Sequence, residues 1–156
     1  MDFDFRFNIP AEQELLWQKV TDIESIAFCV PGVTEITQLE VGPPARYEGA
    51  LKIRVGPVGL KMAGLVEITE MDHDNHSMNL RCEGKDRKIP GNVKTQTSMR
   101  LEPAEQGEGT DLVIQTHATI MGKLGEFGQP IIRKKTAAVL SEFVDNLVKV
   151  LEQETA

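Results

Sequence analysis

Basic charge is in short supply in this chain. Seventeen Lys and Arg stand against 24 Asp and Glu, a net charge of −7 at pH 7 and a pI of about 5.0. A nucleic-acid binder needs a basic footprint, so that class is excluded. Long hydrophobic runs are missing too. No stretch approaches the roughly 20 apolar residues of a membrane span. The N-terminus, Met1-Asp2-Phe3-Asp4-Phe5-Arg6, has neither the basic start nor the apolar middle of a signal peptide, and the chain reads as cytoplasmic. The two cysteines, Cys29 and Cys82, form no C-x-x-C motif. A disulfide between them is open in principle; two buried free thiols in a reducing compartment are the preferred reading. No catalytic triad, phosphate loop or zinc spacing occurs, so no catalytic residue and no metal ligand is assigned. Asp72-His73-Asp74-Asn75-His76 collects ligand-type side chains, but in a stretch that reads as a solvated turn. No internal repeat or linker divides the chain, which is taken as one domain, residues 1–156.

What is present is a long helix preceded by strands. Ile131 to Glu152 contains neither Gly nor Pro, and Ile132, Val139, Leu140, Phe143, Leu147, Val150 and Leu151 recur at helical spacing. Met1 to Ile9 alternates, with Phe3, Phe5, Phe7 and Ile9 on one parity, and predicts a half-buried strand. Pro10 closes that strand and is expected in the first turn of a short helix carrying Leu15, Leu16, Trp17 and Val20. Thr21-Asp22 offers a cap for a second helix, Ile23 to Val30, which Pro31-Gly32 stops. Six strand-like segments follow: Val33–Val41, Tyr47–Val55, Leu60–Met71, Ser77–Glu83, Val93–Leu101 and Asp111–Met121, with Lys85 to Gly91 as a polar loop. Fold class is therefore α+β: a curved seven-stranded antiparallel sheet gripping the long C-terminal helix, with two short helices after the first strand. Gly49, Gly64 and Gly84, within strands, suit strong curvature or close backbone approach.

A sheet that grips one helix can leave an apolar space between them. Strand parity and helical spacing nominate Leu51, Ile53, Met62, Val66, Met78, Leu80, Met99, Leu101, Phe127, Ile131 and Val139 as its lining, with a filled core as the alternative. Gly122, Gly125 and Gly128, just before the helix, suggest a hinge or close contact at the cavity mouth. Two basic clusters, Lys85/Arg87/Lys88 and Arg133/Lys134/Lys135, are candidate surfaces for an acidic partner protein or anionic lipid, against the alternative of a solvated face.

Several short motifs carry a resemblance. They are Trp17 to Asp22 leading to Cys29-Val30-Pro31-Gly32-Val33, Tyr47-Glu48-Gly49 with Val55-Gly56-Pro57-Val58, Gly64, Gly109-Thr110, and Gly122-Lys123-Leu124-Gly125-Glu126-Phe127-Gly128. In this order and spacing, across nearly the whole chain, the sequence resembles the CoxG family of carbon monoxide dehydrogenase subunits, of the START-like, Bet v 1-like (SRPBCC) superfamily. The resemblance implies a helix-grip fold with an apolar cavity under the last helix and a non-catalytic role beside a molybdenum hydroxylase. It also implies a bound lipid or quinone and peripheral contact with the inner face of the cell membrane. Some family members carry a proline-rich linker and a membrane anchor, whereas this sequence ends at Glu154-Thr155-Ala156. Two other functions are kept in view. One is an assembly or docking subunit with a filled core. The other is a START-like enzyme on a hydrophobic substrate, for which His117 with Thr97 or Tyr47 are the available polar groups.

Overall fold

In a computed structural model that describes residues 1–155, the chain opens with strand β1, Asp2–Ile9. Its alternation is realised as expected: Phe3 and Ile9 are buried and Phe5 and Phe7 half-buried, while Asp2 and Asp4 face out. Phe3, Phe5 and Phe7 stack along the inner face at centroid spacings of 6.2 and 6.0 Å. Helix α1, Gln13–Val20, begins three residues after Pro10, not at it. Ala11 donates its N–H to the Ile9 carbonyl in a tight turn, and Glu12 takes the cap position. Helix α2, Ile23–Ile26, is shorter than the sequence suggests and passes into a 3-10 turn, Ala27–Cys29.

Strands β2 (Val33–Glu40), β3 (Ala45–Val55), β4 (Val58–Asp72), β5 (Ser77–Asp86), β6 (Gly91–Pro103) and β7 (Thr110–Gly122) complete one antiparallel sheet in the order β1-β7-β6-β5-β4-β3-β2. The expected polar loop Lys85–Gly91 shrinks, because strand pairing continues to Asp86 and resumes at Gly91. Asp86 closes the remaining loop by accepting the backbone N–H groups of Lys61, Lys88 and Ile89. Helix α3, Gln129–Thr155, is 27 residues long, about 40 Å. The sheet curves around it, as the sequence pattern implies.

The core is in two parts. The larger joins Leu16, Trp17, Met78, Met99, Leu101 and Leu112 to the C-terminal half of α3 through Phe143, Leu147 and Leu151. The smaller gathers Val55, Leu60 and Leu124 at the far end of the sheet, near the β3–β4 turn. Complete burial of one such side chain contributes about 1.5–3 kcal/mol, so the larger cluster dominates stability. On the outer face, Asp111 ties β7 to β1 and to the β6–β7 connection. It accepts from the Glu105 N–H at 3.1 Å, the Arg6 Nε at 2.9 Å and the Asn8 Nδ2 at 3.2 Å.

This packing has consequences for stability. Leu147, fully buried, sits where α3 meets the sheet, and Leu147→Ala is expected to lower the free energy of urea unfolding by roughly 2–5 kcal/mol. The backbone N–H of Glu105, then Arg6 and Asn8, hold the Asp111 carboxyl below the ordinary carboxylate value. A lowered folded-state pKa adds stability above the unfolded value, which is lost as pH falls through the folded one. Part of the acid destabilisation below about pH 4 should therefore vanish in Asp111→Asn, measured as melting temperature against pH.

Candidate functional site

Between the two core clusters lies an apolar cavity of about 530 Å³, inside the roughly 300–1,000 Å³ range of small-molecule sites. Its origin is visible in the strand register. Gly49 of β3 pairs with Gly64 of β4, and Gly64 pairs with Gly84 of β5. Three adjacent strands thus present a row without side chains, and all three glycines belong to the cavity wall. Two of them are also required by the backbone: a Cβ on Gly64 would meet the Glu83 carbonyl oxygen at 2.5 Å, and one on Gly49 would meet that of Glu35 at 2.9 Å. Gly84 differs. A Cβ there would touch only the end of Met62 at 3.4 Å and the Ala63 carbonyl oxygen at 3.8 Å, ordinary contacts, so its side is open to the cavity.

Around this row the sheet supplies Leu51, Ile53, Met62, Val66 and Ile120, and β1 supplies Phe3. Ala27 and Val30, flanking the 3-10 turn, and Ile132, Lys135 and Thr136 of α3 close the other side. The polar atoms of the wall are mostly committed to one another. Thr116 and Thr97 share a hydroxyl hydrogen bond of 2.7 Å, Thr136 donates to the Ile132 carbonyl at 2.8 Å, and Glu83 pairs with Lys94 at 3.2 Å. Burial pushes the Cys82 thiol above its ordinary pKa, partly offset by the hydrogen bond with Thr95. Cys29 and Cys82 are both free thiols.

The approach to α3 is held from two sides. Gly122 and Gly128 bracket a 3-10 turn, Lys123–Phe127, at φ of 73° and 87°, a region that disfavours residues with a Cβ. Gly122 also packs against the opposite backbone: a Cβ there would lie 2.7 Å from Gly91 Cα. Arg133 then pins the first turns of the helix to β1. Its Nη1 donates to the Asp2 carbonyl at 3.0 Å and its guanidinium lies 5.0 Å over the Phe3 ring.

The CoxG family of carbon monoxide dehydrogenase subunits matches this sequence over residues 6–152. The chain belongs to that family. No curated protein matches it. Among solved structures, a conserved protein from Geobacillus kaustophilus is similar with a TM-score of 0.84 at 21% identity, over 98% of this chain and 96% of its own. The Zhui aromatase/cyclase from Streptomyces sp. R1128 gives 0.70 at 12% identity, over 100% and 96%. Ara h 8.0201 gives 0.64 at 15%, over 96% and 98%. At these identities the likeness establishes the fold, the Bet v 1-like helix grip.

In this CoxG family member the nominated lining residues separate into two groups. Leu51, Ile53, Met62, Val66 and Phe127 line the cavity. Met78, Leu80, Met99 and Leu101 share their inward face but lie further along the strands, packed in the larger core cluster under α1 and the C-terminal half of α3. Parity fixes the face of a strand, not the position along it. Ile131 is 47% exposed, and its neighbour Ile132 takes the inward position. Val139 is half-buried on α3, outside the cavity wall. Gly122 and Gly128 bracket the turn into α3, and Gly125, inside it, approaches the Ile120 carbonyl.

The basic clusters divide as well. Lys85, Arg87 and Lys88 are exposed around the β5–β6 connection. In the helical trio, Lys134 is exposed, Arg133 is bound to β1, and Lys135 joins the cavity wall. The polar groups considered for catalysis do not converge. His117 stands on the outer face, 57% exposed, with its Nδ1 2.7 Å from Asp2, whereas Thr97 bonds Thr116 and the buried Tyr47 hydroxyl accepts from Gln38 at 3.3 Å. No group of metal-ligating side chains occurs among the described residues.

Because Cys82 lines the cavity with a raised pKa, its reactivity reports on the space around it. In a Cys29→Ala variant, a small uncharged alkylating reagent should label Cys82. The rate should still be climbing at pH values where an exposed thiol has levelled off. A thiol that stays inert to the reagent across that pH range would mean the space is closed.

Proposed function

We propose that this protein is a non-catalytic carrier that holds a hydrophobic lipid or quinone in the cavity between α3 and the sheet. It serves as an accessory protein to a molybdenum hydroxylase of the carbon monoxide dehydrogenase type, taking its ligand at the membrane surface and delivering it or its electrons. The observation that carries the reading is the glycine-floored apolar cavity, in a chain of the CoxG family. Apolar surface in a cavity of this size is a standing incentive to bind an apolar molecule. Separation of His117 from the cavity favours a carrier over a hydrolase or cyclase. Among the described residues no helix is long and apolar enough to cross a membrane, so membrane contact in this reading is peripheral.

The test uses a filled cavity. Gly84→Leu places a side chain in the open side of the glycine row, where only the flexible end of Met62 must yield. A long-chain quinone at a hundredfold excess over its Kd should raise the melting temperature of the native protein by roughly 5–11 °C. The same quinone should leave folded Gly84→Leu unshifted. A purified hydroxylase of this type should reduce that quinone faster with the native protein than with Gly84→Leu. Equal shifts in both proteins would place binding elsewhere and end the carrier reading.

A further inference from the structure

Lys135 is an unusual wall for an apolar cavity. It is half-buried, it lines the space beside Ile132 and Thr136, and it has no ion pair or hydrogen-bond partner among the described residues. The other cations near this end of α3 are differently placed. Arg133 is committed to the Asp2 carbonyl and the Phe3 ring, and Lys134 is exposed. Of the two carboxylates in the wall, Glu83 is paired with Lys94, and Glu35 is exposed on β2 and makes no ion pair with Lys135. A lysine can lay its methylene stem along an apolar wall, but its ammonium retains three donors. Leaving such a donor half-desolvated and unpaired is unfavourable unless something that occupies the cavity answers it.

We infer that Lys135 anchors the head of the cavity's ligand, which is an amphiphile whose polar end carries a hydrogen-bond-accepting oxygen, carboxylate or carbonyl. The inference rests on the carrier reading and adds to it the class of head group and the residue that holds it. The ligand lies with its apolar body along the glycine row and its oxygen at α3. Thr136 assists: its hydroxyl hydrogen is given to the Ile132 carbonyl, so toward the cavity it offers only an acceptor. That arrangement makes Lys135 the donor on this helix and selects against a head group with nothing to accept its proton. A pure hydrocarbon of the same length fills the same space without gaining this contact.

The experiment compares Lys135→Met, which keeps the length and apolarity of the stem, with Lys135→Arg and the native protein. Binding of radiolabelled hexadecanoate, a long-chain quinone and hexadecane is measured by partition onto the folded protein. Lys135→Met should bind hexadecanoate about tenfold or more weakly, the quinone more weakly by a smaller factor, and hexadecane as the native protein does. Lys135→Arg should restore most of the hexadecanoate affinity. Binding of all three ligands unchanged in Lys135→Met would overturn the anchor and leave the carrier reading standing. Equal weakening of all three, hexadecane included, would mean Lys135 only shapes the wall, and would also overturn it. Failure of the native protein to bind any of the three would remove the carrier reading and the anchor together.

Discussion

Three glycines in register decide what this fold can do. Gly49, Gly64 and Gly84 lie side by side on the inner face of β3, β4 and β5. Valine or leucine at these positions would meet α3 and close the core, as Met78, Met99 and Leu101 do further along. Glycine leaves the volume empty, and at Gly49 and Gly64 the neighbouring carbonyl oxygens come too near for any Cβ. The same row that opens the cavity therefore allows the close backbone approach seen there. A void of this size carries a stability cost through lost packing contacts, and its persistence has to be offset elsewhere in the molecule.

The offset lies at the opposite end. The C-terminal half of α3 is sealed to the sheet by Phe143, Leu147 and Leu151, backed by Trp17 and Leu16 of α1. The N-terminal half faces the cavity with Ile132, Lys135 and Thr136 and is held by fewer groups: the Arg133 contacts with β1, and the turn bracketed by Gly122 and Gly128. One helix thus serves two tasks along its length, support at one end and ligand contact at the other. Local opening is expected first where apolar contacts are fewest, which is the half a ligand must pass.

Much of the architecture is legible in the sequence because amphipathic periodicity is a strong signal. Strand alternation in β1, β3 and β5 and the 3-4 spacing of α3 set the element order and the inward faces. The motifs from Pro31-Gly32-Val33 to Gly122–Gly128 point to the family that matches residues 6–152. Position along a strand is not legible. Met78 and Leu80 share an inward face with Cys82 and Gly84, yet only the second pair reaches the cavity, because the outcome depends on which part of α3 covers each level. In sequence the glycine row reads only as curvature or close approach, since its alignment appears once strand register is known. Lys135 reads there as surface charge beside Arg133 and Lys134. A single residue step turns a helix by about 100°, enough to separate an exposed cation from one in the wall.

The most direct measurement is native mass spectrometry of gently purified protein, followed by solvent extraction and identification of what is released. A glycine-floored apolar cavity that works as a carrier should hold a stoichiometric amphiphile, lipid or quinone, with an oxygen-bearing head, and Gly84→Leu should emerge without it. A clean apo mass from the native protein, together with no uptake of added quinone, would contradict the carrier role.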